Sequence, residues 1–387
     1  MLRGALGVVA VSAATMLANT SVAAAAPASA RCGGMSRGVP NVGRFGGIMG
    51  AVNRQSGCLS PRDLQLVGAA GNTAAGMPPL IFHGGPVMGT TSTGPLVITP
   101  IFWNPTGHPM SSTYKSLITR YLSDVAAASG HKDNVFSIGT EYSGTDGTIN
   151  YQVRLGTPIN DTNPLPANSC KLMPADTANI YADNSGYNAC IDDAQVIAET
   201  DAVVTAAGLP RDYGHIYALY LPRGVESCFY PGETATSANV CTINHEPSAG
   251  YCAYHSQASD GMVYANMPYP IYASPVGYTC GSDAVYPTVQ TPNGNADADT
   301  EISPTSHELI EAETDPDTQT GWYDNAGYEI GDECAYIYGT PSGTGGQYYN
   351  QTINHDHYLT QEEFSNNSFF LSGGGCLQGE NQVKTGS

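Results

Sequence analysis

His307-Glu308-Leu309-Ile310-Glu311 sets an imidazole and a carboxylate four residues apart. On an α-helix that spacing stacks the two side chains on one face, one turn apart. Two ligands on one rigid turn is the arrangement zinc hydrolases use to hold their metal. Glu308, between them in sequence, has the chemistry of a general base that activates water. This is the logic of H-E-x-x-H with the second histidine replaced by glutamate. A third ligand is required, and Glu329-Ile330-Gly331-Asp332-Glu333-Cys334 downstream offers Glu329 and Asp332. One histidine and two carboxylates complete a three-ligand zinc site with a position left for water. His245, His255, His355 and His357 rank below these as ligands. Two other readings compete. His307 can be an ordinary partly buried imidazole on a solvated acidic helix. Alternatively, Asp315, Asp317, Asp324, Glu329 and Asp332 lie in a glycine-containing loop, and calcium prefers oxygen ligands.

The elements that must position these groups are legible to different degrees. Ser303-Pro304 looks like a helix start, with serine as cap and proline in the first turn, and Asp315-Pro316 like its stop. Pro95–Trp103 is expected to be a buried strand despite Pro100. Ser111–Ala128 carries Tyr114, Leu117, Ile118, Tyr121, Leu122 and Val125 at helical spacing. Val135–Tyr142 and Ile149–Leu155 are expected as strands, Ile191–Ala207 as a helix, His215–Leu221 as a buried strand. Gly261–Tyr272 holds a further strand. The succession fits a single layered α/β or α+β domain with a mixed sheet and flanking helices, zincin-like by analogy with its helix motif.

The first thirty residues have the form of a cleavable export signal. Arg3 precedes a short apolar stretch over Ala5–Leu17, and Ala28-Ser29-Ala30 gives the small-x-small cleavage pattern, with a second possible cut after Ala26. The organisation expected is therefore a signal peptide over 1–30, a Gly-rich irregular extension over 31–80 and one domain over 81–387. All ten cysteines lie beyond the signal. An even number in an exported chain points to disulfides. Pairing neighbours (32–58, 170–190, 228–241, 252–280, 334–376) closes the shortest loops. No C-x-x-C is present, which disfavours a zinc ribbon.

Fourteen basic residues stand against 34 acidic ones, a net charge of −20. That balance argues against nucleic acid or an anionic membrane as partner, and no later stretch is long and apolar enough for membrane insertion. An apolar fraction of 41% supplies a core. A serine hydrolase would want a G-x-S-x-G elbow, and none occurs. Gly89-Thr90-Thr91-Ser92-Thr93-Gly94 has the wrong spacing.

Several segments follow one another along the chain: His83-Gly84-Gly85-Pro86, Tyr251-Cys252-Ala253-Tyr254-His255, Ser306-His307-Glu308-Leu309, Thr314-Asp315-Pro316, Gly321-Trp322-Tyr323 and Glu329-Ile330-Gly331-Asp332-Glu333-Cys334. This succession, over roughly residues 81–380, resembles the exordium or phosphate-induced protein family. The resemblance implies an extracellular, wall-associated protein with a shared fold. It is compatible with a metal site at His307, Glu311 and Glu329 or Asp332, with Glu308 as base. Asp315 stands where the plant pattern often has Asn, and the Cys170–Cys190 excursion is long. Two functions follow as expectations. One is a secreted zinc-dependent hydrolase acting on extracellular peptides. The other is a non-catalytic protein that binds a cell-wall component or a protein partner, its acidic cluster structural or calcium-binding.

Overall fold

The computed structural model describes residues 45–50, 52–53, 78–232, 241–242 and 250–383. The expected signal peptide, Cys32, Cys58 and His245 lie outside these residues. The framework is a mixed sheet of seven strands: β1 (Phe45–Gly50), β2 (Leu96–Trp103), β3 (Val153–Leu155), β4 (Ile159–Asp161), β5 (His215–Tyr220), β6 (Tyr251–Gln257) and β7 (Val263–Met267). Their order is β1-β6-β7-β5-β2-β3, with β4 also alongside β2. β5 is parallel to β7 and to β2, and β2 is parallel to β3 and β4. β6 and β1 run antiparallel at the other side, with Ile48 opposite Tyr254 and Met49 opposite Ala253. The stretch read from its glycines as irregular thus contributes the outermost strand.

Alternation along the strands sorts the core into two layers. Ile216, Ala218 and Tyr220 of β5 pack with Tyr114, Ile118 and Leu122 of helix α1 (Ser112–Ala127) and with Ile302, Leu309 and Ile310 of helix α3 (Ala296–Thr314). Tyr217 and Leu219 face the opposite layer, with Val196, Val203 and Val204 of helix α2 (Asp193–Ala207). A strand buried on both faces reads as a continuous apolar run, which is why HIYALY and LVITPIFW stand out in the sequence. Pro100 is accommodated in β2 where its outer neighbour changes. β3 pairs with residues 96–98, and β4 takes over from Ile101, so no ladder bond is demanded on that side at residue 100.

Three local expectations need correction. Val135–Glu141 is a 3-10 helix, not a strand. Asn134 caps Phe136 N, and the hydroxyls of Ser137 and Thr140 donate to carbonyls three residues back. These local bonds outcompete strand pairing. Of the strand expected over Ile149–Leu155, only Val153–Leu155 pairs into the sheet. Helix α3 begins at Ala296, well before Ser303-Pro304, so Pro304 sits inside it. The cap is Asn295, whose Oδ1 accepts from Ala298 N at 3.2 Å, while Asp297 and Asp299 occupy the positive first turn. These first-turn groups, together with the packing of α3 against the sheet and α1, offset the hydrogen bond lost at proline.

Cys170–Cys190, Cys228–Cys241, Cys252–Cys280 and Cys334–Cys376 are disulfides, the pairing expected from nearest neighbours. Bonds of this kind persist in oxidising compartments, which is consistent with an extracellular protein. No helix among the described residues is long and apolar enough to cross a membrane.

On α2, half-buried Glu199 accepts from Asn163 Nδ2 at 2.7 Å. Desolvation, reinforced by nearby Asp161 and opposed by the Asn163 hydrogen bond, pushes its carboxyl up to about 7. A folded-state value above the unfolded one means that the charged form costs stability at high pH. That cost is relieved as pH falls through 7 towards the ordinary glutamate range. Glu199→Gln is therefore expected to raise the thermal midpoint at pH 8, and the gain over the parent is expected to fade by pH 5. A pair of melting curves at the two pH values checks this.

Candidate metal centre

α3 lies beneath the β6 end of the sheet and is buried along almost its whole length, polar residues included. His307 and Glu311, one turn apart, place Nε2 3.1 Å from Oε1. Glu308 adjoins them, with Oε1 4.0 Å from His307 Nε2. The segment after α3 returns through Glu329 to the 3-10 turn Asp332–Cys334. Asp332 Oδ1 comes within 3.7 Å of His307 Nε2. Its backbone N–H donates to Glu311 Oε1 at 2.9 Å, and its Oδ2 accepts from Glu329 N at 3.4 Å. The turn is held from behind by the Cys334–Cys376 disulfide and by Phe364 N donating to Ile330 O.

His307, Glu311 and Asp332 therefore form one potential ligand set, a donor atom from each lying within 4.8 Å of the others. Glu329, the alternative third ligand, belongs to a different set, with Glu311 and His255. The structure also brings His255, which the sequence reading ranks below the carboxylates, into the same buried cluster. On β6, Ala253 and His255 share the α3-facing side, and Tyr254 points to the other layer. The informative signal was the alternation Ala253-Tyr254-His255, which puts an imidazole on the apolar face nearest the motif helix. His357 instead stacks on Tyr349. Of the acidic loop, Asp317 Oδ1 accepts from the backbone of Gln319 and Thr320, and Asp324 Oδ1 from that of Ala326 and Tyr328. Both cap turns, while Glu329 and Asp332 reach the centre.

The six side chains His255, His307, Glu308, Glu311, Glu329 and Asp332 are all 0% exposed. The expectation of a solvated acidic helix face does not hold for α3. β1 runs along β6 and packs against both α3 and the turn starting at Asp332. Buried polar atoms ordinarily find partners. Here Glu311 Oε2 and Asp332 Oδ1 accept no hydrogen bond, and His307 Nε2 faces the carboxylate oxygens of Glu311 and Asp332 at 3.1 and 3.7 Å. Buried carboxylate oxygens left without donors beside two imidazoles are the pattern expected of a cation site. The other clusters of potential donors contain Cys170, Cys190, Cys228 and Cys241, whose sulfurs are committed to disulfides.

The imidazoles are oriented from outside. His255 Nε2 lies 2.8 Å from the carbonyl of Asp315, which can only accept, so the ring hydrogen sits there. The His255 imidazole is pushed down by burial, against the pull of Glu311 and Asp315. His307 goes the other way. Burial opposes its charge, but Glu311 and then Glu308 outweigh that and raise it to about 9. Gln361 Nε2 donates to Gly331 O at 2.9 Å and lies 2.7 Å from His307 Nδ1. Gln361 Nε2 thus donates to Nδ1 and the ring hydrogen sits on Nε2; a cation at Nε2 requires that hydrogen on Nδ1, and with it a turned Gln361 amide that gives up its bond to Gly331 O. Asp332 is raised well above the usual carboxylate range by burial and by Glu311 and Glu308.

Comparison with protein-family models, with curated proteins and with solved structures finds no match to this chain.

Gly331 sits where a Cβ would meet His307 Nδ1 at 2.7 Å and Gln361 Nε2 and Glu311 Oε1 at 3.0 Å. Its φ of −79° suits any residue, so space alone demands glycine. Gly331→Ala is expected to cost about 1–3 kcal/mol through overpacking, read as a lower denaturant midpoint than the parent's.

Proposed function

We propose that this protein is a secreted, zinc-dependent hydrolase of extracellular peptides, with His307, Glu311 and Asp332 as metal ligands and Glu308 as general base. The observation that carries the reading is one fully buried, ligand-sized set of His307, Glu311 and Asp332 beside Glu308, with His307 Nε2 3.1 Å from Glu311 Oε1 and Asp332 Oδ1 left without a hydrogen bond. The donor chemistry fits zinc, which takes imidazole and carboxylate in catalytic sites. When bound, zinc supplies Lewis acidity that polarises a scissile carbonyl. Glu308 takes the proton from the attacking water and returns it to the leaving amine. Its place on the same helical turn as His307 and Glu311 holds that carboxylate to the reacting region. Asp332 N–H and Gln361 keep the ligands from rotating away. A motif helix packed against the sheet, near an antiparallel strand, supports a zincin-like arrangement. Secretion draws support from the export-like first thirty residues and the disulfides, and the exordium-like succession of motifs accords with both.

Burial favours a second reading. Every donor is closed off, as in structural metal sites, which suits a non-catalytic extracellular protein binding a wall polysaccharide or a partner.

The separating experiment uses the zinc-loaded mature chain with a quenched peptide library. Glu308→Gln is expected to retain zinc while losing about 10²–10⁴-fold of the cleavage rate, and His307→Ala to lose the metal bound through Nε2. A zinc-loaded protein that cleaves nothing, or a Glu308→Gln variant as active as the parent, would reject the hydrolase and favour the binding protein.

A further inference from the structure

Glu311 belongs to two ligand sets at once. Its Oε1 lies 3.1 Å from His307 Nε2, and its Oε2 lies 3.9 Å from His255 Nδ1. Asp332 stands on the first side and Glu329, 3.6 Å from His255 Nε2, on the second. We propose that Glu311 bridges two divalent cations, one held with His307 and Asp332, the other with His255 and Glu329. This rests on the metal-site reading above and extends it from a single ion to a pair.

Three observations support the second position. The first is the orphaned Glu311 Oε2, buried and directed towards His255 rather than His307. The Asp332 N–H bond accounts for Oε1 alone. The second is the tautomer of His255. Asp315 O takes the hydrogen on Nε2, leaving the Nδ1 lone pair facing Glu308 Oε2 at 3.1 Å and Glu311 Oε2 at 3.9 Å. An acceptor nitrogen directed at carboxylate oxygens is repulsive unless a proton or a metal cation lies between them, and a metal serves both oxygens at once. A histidine whose other nitrogen donates to a backbone carbonyl is also the usual form of a metal ligand. The third is charge. Glu308, Glu311, Glu329 and Asp332 carry four negative charges when ionised, and all four are 0% exposed. One divalent cation offsets half of that charge, and two match it. Two imidazoles with four carboxylates also supply more donors than one tetrahedral ion takes up. The mixed nitrogen and oxygen set accepts zinc, manganese or ferrous iron. In a two-ion centre the pair clamps the attacking and leaving groups of a displacement together.

The test is metal stoichiometry of the full mature chain, stripped and then reloaded with zinc, by elemental analysis and native mass spectrometry. A parallel manganese-loaded sample is examined by electron paramagnetic resonance. The expected result is two ions per chain, falling to one in His255→Ala and to one or none in His307→Ala. Manganese is expected to give a spin-coupled pair signal that becomes an isolated-ion signal in His255→Ala. Glu329→Gln, which keeps the side-chain shape, repeats the test where His255→Ala does not fold. One ion per chain, retained in Glu329→Gln and His255→Ala and lost in His307→Ala, would overturn the pair and leave the single-ion reading standing. One ion lost only in His255→Ala would overturn the pair and move the site to the other half. No ion in the parent would overturn both readings.

Discussion

Four carboxylates and two imidazoles enclosed at the junction of α3 and the sheet edge set the terms for the rest of this structure. Taking an ionised carboxylate out of water is strongly unfavourable unless it is paired and hydrogen-bonded. Part of the offset is visible in the chain itself: Asp332 N–H on Glu311, Glu329 N–H on Asp332, the imidazoles between the acids. The rest appears as strain on protonation. Asp332 and the neighbouring Glu363 are driven well above their ordinary range, and Glu313 reaches about 8, each chiefly by desolvation. A fold selected for stability alone would place apolar residues here, since replacing a buried charge cluster by packed hydrocarbon is often neutral or stabilising. Retaining the acids makes sense when a ligand of opposite charge belongs among them.

Much of the architecture around the centre can be understood as holding it in register. α3 delivers Glu308 and Glu311 only because its own start is fixed far upstream by Asn295. β6 delivers His255, and Asp315, at the end of α3, turns that ring with its carbonyl, so helix and strand fix one another through an imidazole. The Asp332 turn is loop by length but not by constraint. A disulfide, a bond to the segment after Gln361, and the tight seat of Gly331 against His307 hold it. Gln361 joins the fourth side, its backbone N–H on Ser303 Oγ of α3 and its amide between His307 and Gly331.

What the sequence revealed follows from the range over which each signal acts. Strands buried on both faces, such as His215–Tyr220, and the amphipathic helix Ser112–Ala127 are local patterns and were legible. So were the described disulfides, because short loops close at the least entropic cost. The start of α3 was misplaced because Ser303-Pro304 imitates a cap, and only the aspartates of the true first turn argue otherwise. His307, Glu308 and Glu311 could be found from spacing. Glu329 and Asp332 were visible only as alternatives, since nothing in a linear pattern says that Glu311 faces both. His255, some fifty residues upstream of the motif, joins the centre through strand order, which a single sequence does not encode locally.

The composition of the centre also bears on whether closure alone makes it structural. Structural zinc sites are closed and rich in thiolate, because four soft ligands saturate the ion and repay folding directly. This chain commits its eight described cysteines to disulfides and builds the centre from imidazole and carboxylate. Those harder ligands leave an ion more Lewis-acidic and are the donors of hydrolytic sites. Ligand type is therefore the observation that supports the proposed hydrolase over a structural site.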